Sequence, residues 1–362
     1  MKRFYKNLYI PLVGMLLLFL SGCGGREERY TAVGTAMGTV VSQTVYGKTD
    51  VTTQIKELLD QLEADELSWR IADSEIAVVN DAAGNGGKTA ISDKLKEDLT
   101  ALLEVSEKSG GAFDVTIGPV VRLWGIDAWA AGENADASVP EKQEIAEALA
   151  HTGYEQVELT EGGIILPEGM SLDLGAAGKG IACDRIAEYL EAEAVSGAVI
   201  SVGGSVLTFG EKPDKTAWQI AVVNPFDTSA RLGVLTLTGQ WCVSTSGDYE
   251  RYVEVDGVRY HHILDPATGY PAVSGVRSVT IVCKSGILSD ALSTACFVLG
   301  TEKGMELAEY FDVEALFVDE NGELTMTDGM KKIWKGEENA EKTGSTGETD
   351  YQMGKTGTAD GR

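Results

Sequence analysis

Ile200-Ser201-Val202, Trp218-Gln219-Ile220-Ala221-Val222-Val223, Val234-Leu235-Thr236-Leu237, Tyr252-Val253-Glu254-Val255 and the run from Val276 to Val282 decide the fold. Each is short and rich in β-branched or aromatic residues, and turn formers bound it, so each reads as a strand. Asp256-Gly257 between two such runs is a hairpin signal. Beyond this block the pattern predicts a helix from about Ile287 to Leu299 and another from Thr301 to Phe311. A last hairpin, Val313 to Val318 and Glu323 to Thr327, is split by Asn321-Gly322. On the N-terminal side, Ile181, Ile186, Tyr189 and Leu190 place a helix over Gly178 to Ala194. Ile55, Leu58, Leu59 and Leu62 share one helical face. Ser92 caps a helix carrying Leu95, Leu99, Leu102 and Leu103 that ends at Gly110-Gly111. Pro140 fits the first turn of a further helix closed near Gly153. Val33 to Tyr46 reads as one strand. Strand runs mixed with helices predict α+β layering, here as one two-lobed catalytic unit over residues 34–334 with no internal repeat.

The ends have their own character. Lys2, Arg3 and Lys6 precede an apolar run from Leu8 to Leu20, shorter than the ~20 residues of a membrane span and suited to a signal-peptide core. Leu20-Ser21-Gly22-Cys23 reads as a lipobox, the bacterial signal for cleavage before a cysteine and its lipidation. The alternative is a plain secretory leader with a chance cysteine. The expectation is a signal peptide over 1–22, a lipidated Cys23, and a tether over 23–33 that holds the chain at the extracytoplasmic face of the cell membrane. Residues 335–362 turn to Gly, Thr, Glu and Lys, too polar to offset chain entropy, and read as a disordered tail. A formal charge of −26 repels nucleic-acid phosphates and predicts that a bare pyrophosphate binds only with a cation. Cys183, Cys242, Cys283 and Cys296 form no C-x-x-C pair, so they read as buried free thiols, with no disulfide assignable.

Three stretches carry chemistry. In Asp290-Ala291-Leu292-Ser293-Thr294, a carboxylate and a hydroxyl lie one helical turn apart on one face. Hard oxygens so placed suit Mg²⁺, although a helix-start cap and a packed threonine would look the same. Leu172-Asp173-Leu174-Gly175-Ala176-Ala177-Gly178-Lys179-Gly180 lets backbone and a phosphate or ring come close, and Lys179 adds positive charge. Tight packing would also use those glycines, and Asp173 could be a turn carboxylate. His261-His262-Ile263-Leu264-Asp265-Pro266-Ala267-Thr268-Gly269 holds two of the three histidines, imidazoles that titrate near neutrality, beside a rigid turn.

Together these motifs resemble the FAD:protein FMN transferase (ApbE) family over about Gly34 to Trp334. Further elements match in family order: Ala36-Met37-Gly38-Thr39, Leu67-Ser68-Trp69, Ala112-Phe113-Asp114-Val115-Thr116-Ile117-Gly118-Pro119, Val202-Gly203-Gly204 and Ser244-Thr245-Ser246-Gly247-Asp248. The resemblance implies a T-fold-like catalytic unit that moves FMN from FAD onto a protein threonine with release of AMP. It implies that Met37, Trp69, Ala112, Phe113, Asp114, Asp173, Lys179 and His262 contact FAD. Mg²⁺ would lie on Asp290, Thr294 and the carbonyl of Ala176. Relatives often carry Tyr where Trp69 stands, and some a second Asp where Ser293 stands. His262 fits the family histidine, and His261 is an extra. His262 or a nearby carboxylate is the expected proton acceptor, so His262 and Asp290 are the expected catalytic pair. Implied targets are membrane redox subunits, such as those of Rnf or sodium-pumping quinone reductase complexes. Two other readings stay open: an FAD pyrophosphatase giving FMN and AMP, and a non-enzymatic FAD-binding carrier lipoprotein.

Overall fold

The computed structural model describes residues 27–126, 128, 138–337 and 351–352. The expected signal peptide over 1–22, Cys23 and most of the polar tail lie outside them. β1 (Glu28–Ala36) and β2 (Thr39–Gly47) form a hairpin, followed by α1 (Thr52–Leu62), α2 (Glu75–Asp81), α3 (Asp93–Lys108), α4 (Gly118–Trp124) and α5 (Lys142–Leu149). Next come the small ribbon β3 (Glu158–Thr160) and β4 (Gly163–Ile165), helix α6 (Gly178–Ala192), β5 (Gly197–Val202), β6 (Ser205–Gly210), β7 (Trp218–Asn224) and β8 (Asp227–Leu237). β9 (Trp241–Gly247), β10 (Tyr252–Val255), β11 (Val258–His261) and β12 (Val276–Cys283) lead to α7 (Gly286–Tyr310). β13 (Glu314–Asp319), β14 (Leu324–Met326), α8 (Asp328–Ile333), β15 (Trp334–Gly336) and β16 (Tyr351–Gln352) complete the order.

The central sheet runs β1-β2-β5-β6-β9-β12-β13-β14, antiparallel at every pairing. Its strands read as unbroken apolar runs because both faces are covered. Ala198, Ile200, Val202, Leu207, Cys242 and Ile281 pack against the side of α1, α3, α6 and α7. The alternate residues Val199, Val206, Val243, Val282 and Leu316 pack on Trp218, Ile220, Val222, Leu235 and Leu237 of a second sheet, β15-β8-β7-β16. The result is α+β in three layers. A smaller apolar cluster joins Val120 and Trp124 of α4, Ile145 of α5, Val253 of β10, and Leu264. This second lobe stands beside the helix side of the main body and closes one wall of the cleft described below.

Local signals explain most boundaries. Ser92 Oγ accepts from Leu95 N at 3.1 Å and starts α3. Asp256 and Gly257, at φ 52° and 78°, turn β10 into β11. Gly300, at φ 77°, breaks α7 where two helices were expected. Several expectations are corrected. Val33 to Tyr46 is two strands, because Met37 and Gly38 both take left-handed φ (52° and 66°) and fold the chain back on itself. Residues 28–33 of the expected tether belong to β1, which pairs with β2. Pro140 lies outside α5, whose N-cap is Glu141, with Glu144 Oε2 accepting from Glu141 N at 2.8 Å. Within the expected tail, Lys335-Gly336 pair with β8 and Tyr351-Gln352 pair with β7. The four described cysteines are free and buried, as their apolar settings predicted.

Candidate active site

Three backbone devices shape one cleft. The first is the β1–β2 turn. Met37 at φ 52° carries the strain of a left-handed residue with a side chain. Its N–H donates to Glu63 Oε2 at 2.9 Å, and Glu63 starts the π turn Glu63–Leu67 that ends α1. The Met37 side chain is thereby laid over Gly178, whose notional Cβ would stand 3.7 Å from Met37 Cε. Gly178 is therefore bare on the cleft side, as the glycine motif suggested.

The second device is the crossing of α6 and α7. A Cβ on Gly180 would fall 2.1 Å from Gly286 O and 2.8 Å from Asp290 Cβ. Gly180 is thus bare for helix packing, the alternative that the sequence left open for these glycines. That close approach lets Asp290 accept from Gly180 N at 3.0 Å. Gly180 N–H is one of the first-turn donors that a helix leaves without a partner of its own, and Asp290 satisfies it from the side. Ala176, in the turn just before α6, lines the cleft. Asp184 caps the start of α7 in return, accepting from Gly286 N at 2.6 Å and Ile287 N at 2.9 Å.

Asp290 is 2% exposed. Besides Gly180 N, its carboxylate accepts from Ser205 Oγ at 3.2 Å and pairs with Lys179 Nζ at 3.2 Å. Ser205 belongs to a buried hydroxyl chain in which Ser244 Oγ reaches Ser205 Oγ at 3.0 Å and Ser289 Oγ at 2.8 Å. Asp290 does not cap its own helix, since Ser285 does that. One turn on, Thr294 Oγ1 lies 3.1 Å from Ser246 Oγ and lines the cleft. Ser293 is fully buried, with Oγ bonded to Asp290 O and to Ser246 Oγ at 2.8 Å each.

The third device is the loop after β11. Its Asp-Pro-x-Thr-Gly turn is closed by Thr268 N and Gly269 N on Asp265 O, at 3.1 and 2.8 Å. Trp124 Nε1 pins it to the second lobe by donating to Gly269 O at 2.8 Å. His262 N and Nδ1 both meet the carbonyl of Arg251, at 3.0 and 3.2 Å. A carbonyl only accepts, so Nδ1 carries the proton and Nε2 the lone pair. Burial, then Arg251, His261 and Lys179, push the His262 pKa down to about 3. His261 turns away, with Nε2 on Ala272 O at 3.0 Å and its ring edge-on to Phe297. It is a satisfied structural histidine.

The resulting cavity, about 270 Å³, brings together Met37, Trp69, Ala112, Phe113, Asp114, Asp173, Ala176, Lys179, His262 and Thr294. Asp290 stands just behind Lys179. Trp69 lies between Arg70 and Arg122, whose guanidinium carbons are 5.3 and 5.4 Å from its ring centre. Asp114 shapes its own turn, accepting from Thr116 N at 2.8 Å, Thr116 Oγ1 at 2.7 Å and Tyr154 N at 3.1 Å. Its burial raises its pKa. Asp173 Oδ1 accepts from Gly175 N at 2.7 Å. Sequence reasoning missed Glu63, Glu250, Arg251 and the serine chain. Glu250-Arg251 follow one residue after the quoted Ser244–Asp248 stretch, but a charged pair between two strands reads as a solvated turn.

The model of the ApbE family matches residues 37–317. The chain belongs to this family. An FAD:protein FMN transferase of Treponema pallidum is 35% identical, over 84% of this chain and 90% of its own. One of Klebsiella pneumoniae is 36% identical, over 83% and 92%. The solved ApbE protein of Thermotoga maritima superposes with a TM-score of 0.75 at 33% identity, covering 84% of this chain and 99% of its own.

Proposed function

We propose that the chain is an FAD:protein FMN transferase, moving FMN from FAD to a threonine hydroxyl of a target protein and releasing AMP. The observation that carries this reading is the joining of aromatic and thioether surfaces (Trp69, Phe113, Met37) to a cationic and hard-oxygen end (Lys179, Thr294, Ala176, with Asp290 behind) in one cleft. A flavin dinucleotide has those two kinds of surface.

The donor set fits Mg²⁺: a buried carboxylate, a hydroxyl, and a backbone carbonyl in the turn before α6. Asp290, Thr294 and Ala176 O would hold it. When bound, it would neutralise charge on the phosphate oxygens. In the reaction a bond forms from threonine Oγ to the FMN-side phosphorus, and the bond to the bridging oxygen breaks, leaving AMP. Met37, Trp69 and Phe113 orient the flavin end, and Lys179 holds an anion near Asp290. The hydroxyl proton goes to His262 Nε2, held by its Nδ1 contact, or to Glu250, which lines the same cleft. An anionic dinucleotide opposes the fields of Lys179 and Arg251, so the proton affinity of His262 rises as it binds.

The lipobox at Leu20–Cys23 supports a lipid-anchored enzyme on the extracytoplasmic face of the membrane. There it would share a surface with targets in Rnf-type or sodium-pumping quinone reductase complexes. Incubation with FAD, Mg²⁺ and a threonine-bearing target peptide tests the activity. Flavin fluorescence on the peptide is the expected result. AMP without labelling makes the chain a pyrophosphatase, and FAD bound intact makes it a carrier.

A further inference from the structure

The cleft of this strongly acidic chain contains three side-chain cations. Lys179 is committed to Asp290 at 3.2 Å, and Arg70 lies over Trp69. Arg251 differs. Its side chain is half-buried at the cleft wall, yet among the described residues it makes no ion pair or side-chain hydrogen bond, not even with its neighbour Glu250. A guanidinium at a cleft wall with no carboxylate beside it keeps its donors open towards the cleft. Such a group is placed for an anion that arrives from outside.

Its surroundings say where that anion sits. The positive fields of Arg251 and Lys179 act on the same two groups, Glu250 and His262. Lys179 reaches them from α6, and Arg251 reaches them from the segment entering β10. The two cations line the same cleft as Glu250, His262, Thr294 and Ala176. A planar guanidinium offers paired donors that match two phosphoryl oxygens, which an ammonium does not. The same residue's carbonyl also fixes the His262 ring, so phosphate and imidazole would be positioned from one point of the chain.

We propose that Arg251 is a substrate-contacting residue that grips the diphosphate of the dinucleotide opposite Lys179. This rests on the transferase reading above and adds a phosphate contact to it. The test measures binding, so it is separate from turnover. Full-length protein in detergent, with Mg²⁺ present, is titrated with FAD and with riboflavin, which lacks phosphate, following flavin fluorescence. Arg251→Gln should weaken FAD binding by roughly 10- to 100-fold and leave riboflavin binding unchanged. Arg251→Lys, which keeps the charge and the bulk, should fall between, and it decides the matter if the Gln variant does not fold. Unchanged FAD affinity, or equal weakening for FAD and riboflavin, overturns the proposal. A wild-type protein that binds neither flavin would instead sink the transferase reading.

Discussion

Glu250→Gln should make the ligand-free protein more stable at neutral pH. Burial, only partly countered by Lys179 and Arg251 and reinforced by Asp290, pushes the Glu250 carboxyl up from 4.5 to about 6. The folded state therefore holds this proton more tightly than the unfolded chain does. Below about pH 4.5 both states are protonated, and the residue is neutral to stability. Above about 6 both are ionised, and the fold carries the cost of the buried charge. At about 1.4 kcal/mol per pH unit that cost is about 2 kcal/mol, and solvent contact at the half-buried carboxylate lowers it to about 1 kcal/mol. The amide removes the charge at nearly constant volume. The expected gain is roughly 2–4 °C in Tm at pH 7.5, shrinking towards zero near pH 4.5, read by differential scanning calorimetry without flavin or Mg²⁺. A lower Tm at pH 7.5, or a gain of equal size at both pH values, refutes the reasoning.

Gly180→Ala places a methyl 2.1 Å from the Gly286 carbonyl, so the helices must part. A loss of about 3 kcal/mol or more is expected in urea unfolding, whereas the same change at Gly178, with 3.7 Å of room, should cost far less. Asp290→Asn leaves Lys179 without its charge partner. It should weaken Mg²⁺ dependence by at least 10-fold in FMN transfer while far-UV circular dichroism stays the same. His262→Ala should lower transfer about 10²-fold or more with FAD affinity little changed by fluorescence titration. Full transfer by that variant moves the proton to another acceptor.

Much of this architecture was legible because single residues dictate it. Gly300 can hold φ 77°, so the helix break falls there, and Asp256-Gly257 admits only a tight hairpin. The apolar runs of β5 and β12 gave strands but not their place in the sheet, since burial on both faces erases the alternation that would assign a side. The Met37–Gly38 turn stayed hidden because both runs it joins mix small, polar and β-branched residues without a break, and a methionine at left-handed φ has no sequence signature. The active-site motifs were readable as residue types. Their couplings were not: Ser205, Ser244 and Ser289 lie on three separate elements, so no spacing announces the hydroxyl chain to Asp290. Glu250 and Arg251 were invisible for a related reason, because only the folded cleft distinguishes an enclosed charge from a solvated one.

The bare contact between Gly180 and Gly286 has a consequence for catalytic timing. Two rods that touch backbone to backbone cannot slide without a collision, so the carboxylate on one and the amide on the other keep a fixed spacing throughout a turnover. The phosphate end of the cleft behaves as a stationary anvil.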